Sequence, residues 1–326
     1  GQMAQAIGGG SFPVGDVATY MLGSVAAGGS NEPPGGVSAT HWADYADELQ
    51  SIAMGTRLGI PLLIGVDAVH GMSKADDAVF FPHNIGLGCS GDFDLVERVG
   101  RVTGQEMAGS GVNWTFSPTL AAALDERWGR TYEAYGETPE AAGIMGTATT
   151  LGLQDTALGN SNSSVLGCAK HWAGDGATVD GINAGDVQMD EATFRRLAVD
   201  QYRPVIRAGV GSVMVSFSSW NGELLHGHGY LVTDVLKNEL GFQGFVVSDW
   251  GGIGALPGDY ASDVATSVNA GLDMFMLPSG WAGFVSTLGA VVGSGDVPIE
   301  RVDDAVSRIL TIKCEMGLFD PGYTGL

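Results

Sequence analysis

The chain has 326 residues, of which 44% are hydrophobic, and a formal net charge of −22. This length supplies a large core, and the strong negative charge argues against nucleic acid and anionic membrane surfaces as partners. Cys89, Cys168 and Cys314 stand apart without metal-ligand spacing, and no segment is long and apolar enough to span a membrane. The composition therefore favours a globular protein without a metal centre. The chain opens on Gly1-Gln2-Met3-Ala4 rather than a natural start, so we expect trimmed ends.

Short apolar runs alternate with amphipathic stretches along the chain. Seven runs predict buried strands, at residues 23–29, 61–67, 112–118, 164–172, 211–220, 244–250 and 270–277. Apolar residues at helical spacing predict helices at residues 42–59, 92–111, 191–209, 233–241 and 299–319. Residues 30–36 and 159–164 are predicted to be loops, and no linker divides the chain.

The alternation of strands and helices predicts a parallel sheet with helical crossovers. Seven or so strands fit a closed α/β barrel of the (β/α)8 TIM type better than an open sheet. We expect the eighth strand within residues 1–9 or in a degenerate position. Residues 1–326 are thus predicted to form a single barrel domain.

Polar residues follow the predicted strands where each strand ends. These residues are Asp67, Lys170-His171, Ser218-Ser219-Trp220 and Asp249-Trp250, and Arg130 lies in a loop after the third run. Active sites of α/β barrels lie at the carboxyl ends of the strands, so these side chains are expected to converge. Carboxylates, cations and tryptophans together suit a sugar ring, which has hydroxyls on its rim and C–H groups on its faces.

Two stretches carry a family resemblance. KHWAGDGATVDGIN (170–183) and VVSDWGG (246–252) resemble the signatures of family 3 glycoside hydrolases, and are most similar to exo-acting β-glucan glucohydrolases and β-glucosidases. Further matches follow in family order at residues 56–71, 81–88, 126–137, 213–222 and 270–276. The resemblance implies a (β/α)8-type barrel, usually followed by a second α/β sandwich domain that this chain lacks. We therefore expect the chain to be part of a longer two-domain enzyme.

The resemblance also implies roles for particular residues. Asp249 would be the nucleophile of a retaining mechanism and would form a covalent glycosyl-enzyme intermediate. No cofactor or metal is implied. The residues expected to contact the non-reducing terminal glucose are Asp67, Arg130, Lys170, His171, Met214 and Trp250.

Three positions depart from the family pattern. Phe217 stands where plant-type members carry Tyr, and Ala184 stands where they carry Glu. The tract after Trp250 reads GGIGAL (251–256), without the charged residues often found there. The leaving-group side is therefore expected to be more open or less selective.

The general acid is the largest gap in this interpretation. Retaining hydrolysis needs a second carboxyl group about 5 Å from the first. Two-domain members take it from the second domain, whereas the single-domain β-N-acetylglucosaminidases use an Asp/His pair on a loop similar to KHFPGHGDT. Here that loop reads KHWAGDGAT, with Asp175 in place of the His, which argues against the single-domain chemistry. Asp175 and Glu223 are the candidates inside this chain.

Structural roles remain open for the same residues. Asp249 alone fits a helix N-cap, and Arg130 fits an ion pair with Glu133 or Glu126. Met214 and Trp220 fit a hydrophobic core as well as a binding pocket. The remaining residues with a structural alternative are Asp67, Lys170 and His171, and the histidines read as structural are His70, His83, His226 and His228.

The leading expectation is a retaining exo-acting β-glucosidase or β-glucan glucohydrolase that acts on β-linked glucosides or glucan oligosaccharides. A β-N-acetylglucosaminidase, a β-xylosidase and a non-catalytic sugar-binding barrel without its general acid stay open as alternatives. The second domain in cis is the expected partner that supplies the acid/base. The acidic, lysine-poor composition favours a secreted or periplasmic protein.

Overall fold

Eight parallel strands close into a barrel in a computed structural model that describes residues 1–27, 31–321 and 323. The end of the predicted run 23–29 and the start of the predicted loop 30–36 lie outside the described residues. The barrel strands are β1 (Ala4–Ile7), β2 (Ser24–Ala26), β3 (Leu63–Val66), β4 (Trp114–Thr115), β5 (Cys168–Trp172), β7 (Ser212–Val215), β10 (Phe245–Val247) and β11 (Phe275–Leu277).

The strand order closes a ring. One sheet runs β11-β1-β2-β3-β4 and a second runs β10-β7-β5. Parallel bridges between Trp114 and Leu166 and between Val247 and Met274 join the two sheets. The eighth strand is β1, within residues 1–9 as predicted, and it pairs in parallel with β11 on one side and β2 on the other.

A small sheet stands apart from the barrel. It consists of β6 (Asp186–Val187), β8 (Ser219–Trp220) and β9 (Glu223–Leu224), in the order β6-β8-β9. The predicted run 211–220 therefore divides into two strands of different sheets. The run 270–277 was too long, because its first residue ends a helix and only its last three form β11.

The helices follow the strands around the ring. They are α1 (Asp16–Tyr20), α2 (Ala39–Met54), α3 (Asn84–Ser90), α4 (Phe93–Ala108), α5 (Pro139–Gln154), α6 (Glu191–Phe194), α7 (Tyr202–Arg207), α8 (Tyr260–Ala270), α9 (Trp281–Ser294) and α10 (Ile299–Glu315). Two segments are π-helical, Arg195–Val199 and Tyr230–Glu239. Asp92 caps α4, because its Oδ1 accepts a hydrogen bond from the Leu95 amide at 2.9 Å. No helix in the described part of the chain has both the length and the apolar character to cross a membrane.

Aromatic side chains fill the barrel interior. The Trp114 ring packs edge-on against Phe116 at 5.0 Å and against Phe245 at 5.3 Å between ring centroids. Its indole N–H donates to the Ser212 hydroxyl at 2.9 Å, so the buried polar atom is satisfied. The interior is therefore a packed core, and ligands are left to the end of the barrel where the strands terminate.

Candidate active site

A pocket of about 300 Å³ opens at the carboxyl ends of the strands. All seven residues singled out from the sequence line it, although they come from distant parts of the chain. These residues are Asp67, Arg130, Lys170, His171, Met214, Asp249 and Trp250. The other lining residues are Val69, Phe116, Met276, His83, Tyr132 and Glu133.

The floor of the pocket holds an ion pair between β3 and β5. Lys170 Nζ donates to Asp67 Oδ1 at 2.8 Å, and Lys170 is only 5% exposed. Burial alone would lower the pKa of Lys170, but the carboxylates of Asp67 and Glu133 outweigh it and raise that pKa. For Asp67 burial acts in the opposite direction and would raise its pKa, but the Lys170 ammonium outweighs burial and lowers it. The pair stays charged, and half of the Asp67 side-chain surface still faces the pocket.

Arg130 forms a side wall of the pocket and pairs there with the carboxylate of Glu133. Its guanidinium donates to Glu133 Oε1 at 2.7 Å and to Glu133 Oε2 at 2.8 Å. Its Nη2 also lies 3.4 Å from His171 Nε2. Arg130 therefore both pairs with Glu133 and lines the pocket. The ion pair fixes its guanidinium before any ligand binds.

Asp249 follows β10 by two residues and turns its carboxylate into the pocket. The Trp250 amide donates to Asp249 Oδ1 at 2.6 Å, while Asp249 Oδ2 lies 3.6 Å from His171 Nε2. Gly251, which follows Trp250, has a φ of 63°, a left-handed conformation that glycine adopts without strain. This turn carries Trp250 out to the pocket mouth, where its side chain is 48% exposed.

His171 connects Asp249 to a buried carboxylate behind it. His171 Nδ1 lies 2.5 Å from Asp175 Oδ2, and the Ser216 hydroxyl donates to Asp175 Oδ1 at 2.5 Å. Burial alone would raise the pKa of Asp175, but the charge of His171 and these hydrogen bonds outweigh it and lower it. Asp175 does not line the pocket, and a lowered pKa is the wrong direction for a proton donor.

Glu223 does not reach the pocket either. It lies on β9, has a side chain that is 64% exposed, and approaches His228 at 3.8 Å. Among the described residues, the pocket carboxylates besides Asp249 are Asp67 and Glu133, and both have lowered pKa values and basic partners. Neither candidate from the sequence thus supplies a general acid at this site.

The departures from the family pattern lie behind or outside the pocket. The Phe217 ring packs against His226 with centroids 5.5 Å apart, behind Asp249, and does not line the pocket. Ala184 lies in an exposed loop at φ of 57°. Trp220 stacks between Phe194 and His228, so it belongs to the packing of the small sheet.

Two of the pocket residues that were not predicted from the sequence are aromatic neighbours, His83 and Tyr132. His83 was read as structural, and Tyr132 was not singled out, although both lie inside stretches that carry the family resemblance. Their rings pack edge-to-face at 4.7 Å, and His83 also stacks on His70 at 4.4 Å. This aromatic group forms the side of the pocket next to Asp67. In the described part of the chain, no three His, Cys, Asp or Glu side chains converge as metal ligands would.

Comparison with known proteins assigns nearly the whole chain to one enzyme family. A profile of the glycosyl hydrolase family 3 N-terminal domain matches residues 14–312. A lysosomal β-glucosidase from Dictyostelium discoideum is 31% identical over 94% of this chain and 39% of its own length. A periplasmic β-glucosidase from Salmonella typhimurium is 34% identical over 83% of this chain and 35% of its own length.

Solved structures share the architecture. The crystal structure of an exo-1,3/1,4-β-glucanase from a Pseudoalteromonas species has a TM-score of 0.93 and 38% identity, over 99% of this chain and 41% of that one. A β-glucosidase from Listeria innocua in complex with glucose has a TM-score of 0.85 and 28% identity, over 100% of this chain and 46% of that one. The chain spans less than half of the length of each of these proteins. By sequence and by fold, this chain belongs to glycosyl hydrolase family 3 and carries the N-terminal barrel domain of that family.

Proposed function

We propose that this barrel holds the terminal glucose of a β-linked glucoside or glucan oligosaccharide and presents Asp249 as the nucleophile of a retaining exo-acting β-glucosidase. The observation that carries the proposal is the placement of Asp249. Its carboxylate faces His171 across a pocket whose floor is the Asp67–Lys170 ion pair. The names of the relatives, β-glucosidases and an exo-glucanase, support the same substrate class.

The charged floor and wall fit the hydroxyl groups of one sugar. The Asp67 carboxylate accepts hydrogen bonds, whereas the Lys170 ammonium and the Arg130 guanidinium donate them. Because Lys170 already pairs with Asp67, and Arg130 with Glu133, little reorganisation is needed when a sugar binds. Trp250, exposed at the mouth, offers an aromatic face to the ring next to the cleavage point.

In the proposed reaction, Asp249 attacks the anomeric carbon from the face opposite the leaving group. The C–O bond to the leaving group breaks, the leaving oxygen takes a proton from a general acid, and a covalent glycosyl-enzyme forms. Water then attacks the anomeric carbon, gives a proton to the conjugate base of the same general acid and displaces the Asp249 carboxylate, which releases glucose with retention. The basic side chains near Asp249 are His171 and Arg130.

The general acid belongs, in this proposal, to a second domain of the same protein. Asp175 is sequestered behind His171, Glu223 lies outside the pocket, and Asp67 and Glu133 have basic partners. The relatives are more than twice as long as this chain, which leaves room for such a domain. An exported location is also part of the proposal, supported by the periplasmic relative.

A substrate that needs no general acid tests the nucleophile by itself. 2,4-Dinitrophenyl 2-deoxy-2-fluoro-β-D-glucoside has a leaving group that departs without a proton, and its fluorine slows release of the covalent intermediate. We expect the 326-residue chain to gain the mass of one 2-fluoroglucosyl group, located on Asp249 by peptide mapping. The Asp249→Ala variant should stay unlabelled while it still binds glucose. A wild-type chain that binds glucose and stays unlabelled would instead be a sugar-binding barrel.

Hydrolysis then tests where the acid lies. The 326-residue chain should turn over p-nitrophenyl β-D-glucoside and laminaribiose far more slowly than the full product of its gene. Equal rates would place the proton donor inside this chain and contradict the second-domain part of the proposal.

A further inference from the structure

His226 lies directly behind Asp249, outside the set of pocket residues. It sits in a single 3₁₀ turn, Leu225–Gly227, that follows the small sheet, and it is 2% exposed. Its Nε2 accepts a hydrogen bond from the backbone amide of Asp249 at 3.1 Å. A loop that is 23 residues away in sequence thus holds the main chain at the proposed nucleophile.

The ring is in the right protonation state for this bond. An imidazole nitrogen accepts a hydrogen bond only when it carries no proton. Burial lowers the pKa of His226 to about 4, an effect that the nearby Asp249 carboxylate only partly opposes. At neutral pH the ring is therefore uncharged and Nε2 is an acceptor.

The ring is also tightly enclosed. Phe217 packs against one side with centroids 5.5 Å apart. On the other side is Gly252, where an added Cβ would lie 2.3 Å from His226 Nε2. Only a residue without a side chain lets the backbone after Asp249 approach the ring this closely, so His226, Asp249 and Gly252 form one packed unit.

Two bonds together fix the Asp249 carboxylate. The amide of Asp249 is held by His226, and Oδ1 of Asp249 is held by the Trp250 amide at 2.6 Å. Oδ2 is left facing His171 Nε2 at 3.6 Å, across the pocket. The arrangement selects one carboxylate oxygen for the reaction and orients it.

We propose that His226 is a positioning residue that sets the backbone of Asp249 so that Oδ2 points at the anomeric carbon. The inference rests on the proposed function, because it assigns His226 a part in the attack by Asp249. His226 touches neither the sugar nor the reacting atoms and acts through the Asp249 amide alone.

Two substitutions of His226 separate the hydrogen bond from the packing. His226→Gln retains an acceptor oxygen near the position of Nε2, whereas His226→Phe retains the ring and removes the acceptor. A shift of the nucleophile on the scale of 1 Å lowers rates about 100-fold, so we expect His226→Phe to slow 2-fluoroglucoside labelling by about ten- to a hundredfold. His226→Gln should recover most of the rate. Glucose affinity should stay within about twofold in both variants, because Asp67 and Lys170 are untouched.

A third variant disturbs the same hydrogen bond without changing His226 itself. Gly252→Ala leaves His226 in the chain but pushes its ring away from Asp249, so it should slow labelling as His226→Phe does. In wild type and His226→Gln, the Asp249 amide should be protected from hydrogen exchange, and in the other two variants it should exchange faster. This readout needs no turnover and applies to any variant that folds.

The outcomes distinguish the two proposals. If wild type is labelled and His226→Phe and Gly252→Ala are labelled at the same rate, the positioning role is overturned and the nucleophile stands. If wild type is not labelled at Asp249, the proposed function is overturned and the inference with it. Slow labelling of His226→Phe with glucose affinity lost to the same extent would show a collapsed pocket and would also contradict a positioning role.

Discussion

His171 Nδ1 lies 2.5 Å from Asp175 Oδ2, on the side of the imidazole that faces away from the pocket. Ser216 satisfies the other oxygen of the same carboxylate. The sequence analysis named Asp175 as a candidate general acid. In the structure its two carboxylate oxygens face His171 and Ser216, so Asp175 orients His171 and does not face a substrate. By resemblance, Asp175 occupies the loop position where single-domain family members carry a His. It nevertheless lies outside the pocket, so it is not placed to transfer a proton there.

Asp175 should make the stability of the chain sensitive to acid. The folded state lowers the pKa of Asp175, so its ionised form contributes stability above the pKa of the unfolded chain, about 3.9, and that contribution is lost as pH falls below it. We expect wild type to lose stability relative to Asp175→Asn as pH falls from about 5 to about 3. Urea unfolding across this range measures the difference.

Asp303→Asn, a substitution on the exposed side of α10, is the matched control for Asp175→Asn. It should change the pH dependence of stability little. A stability difference between wild type and Asp175→Asn that is constant from pH 5 to pH 3 would contradict the assignment of Asp175 as a buried partner of His171.

Asp67→Asn should weaken glucose binding without unfolding the chain. The change removes a charged acceptor from the pocket floor, and a hydrogen bond to a charged group contributes about 1.5–3 kcal/mol. We therefore expect glucose affinity to fall about ten- to a hundredfold in isothermal titration. Glu223→Gln, outside the pocket, should bind glucose like wild type. Unchanged affinity in Asp67→Asn would remove Asp67 from the sugar site.

Trp250→Ala should affect the leaving-group side more than the glucose pocket. Its side chain is 48% exposed at the mouth, so its removal leaves the core intact. We expect the concentration of aryl glucoside that gives half-maximal labelling to rise several-fold, while glucose affinity changes less. A larger loss for glucose than for the aryl glucoside would place Trp250 deeper in the site than proposed.

Lys313→Met should destabilise the barrel at its amino-terminal end. The fully buried Lys313 ammonium donates to Gln2 Oε1, Gly23 O and Pro61 O at 2.8, 2.9 and 2.6 Å. Methionine leaves the two buried carbonyls without a donor, and each such group costs about 1–3 kcal/mol, only partly offset by removing a buried charge. Urea unfolding should show a loss of about 2–4 kcal/mol. Thr311→Met, on the exposed face of the same helix, should be close to neutral, and equal stability of the two variants would contradict this role of Lys313.

Much of the site follows from polar residues placed after apolar runs. Asp67 and Asp249 follow the ends of β3 and β10, Lys170 lies within β5, and the barrel topology brings the three together. Of the two ion-pair partners expected for Arg130, Glu126 and Glu133, the structure shows Glu133, which lies one turn of chain further on. The placement of the eighth strand within residues 1–9 is confirmed as well.

Other features depend on contacts that no local pattern encodes. His226 meets Asp249 across 23 residues and two sheets, so nothing in its neighbourhood marks it as more than a buried histidine. The segments 195–199 and 230–239 overlap stretches that were predicted to be helical, but their π-helical hydrogen bonds, from residue i to residue i+5, were not predicted. Glu133 was one of two partners considered for Arg130 but was not predicted as a pocket residue, since its place in the pocket depends on the conformation of the loop that carries it.

The pairing of β1 with β11 has a consequence for how the chain is made. During synthesis β1 leaves the ribosome long before its second neighbour, Phe275–Leu277. Until then the nascent sheet has an open edge at β1, and open edges invite pairing with other chains. Barrel closure therefore has to wait until residue 277 has emerged, and chains that are released before that residue should be prone to aggregate.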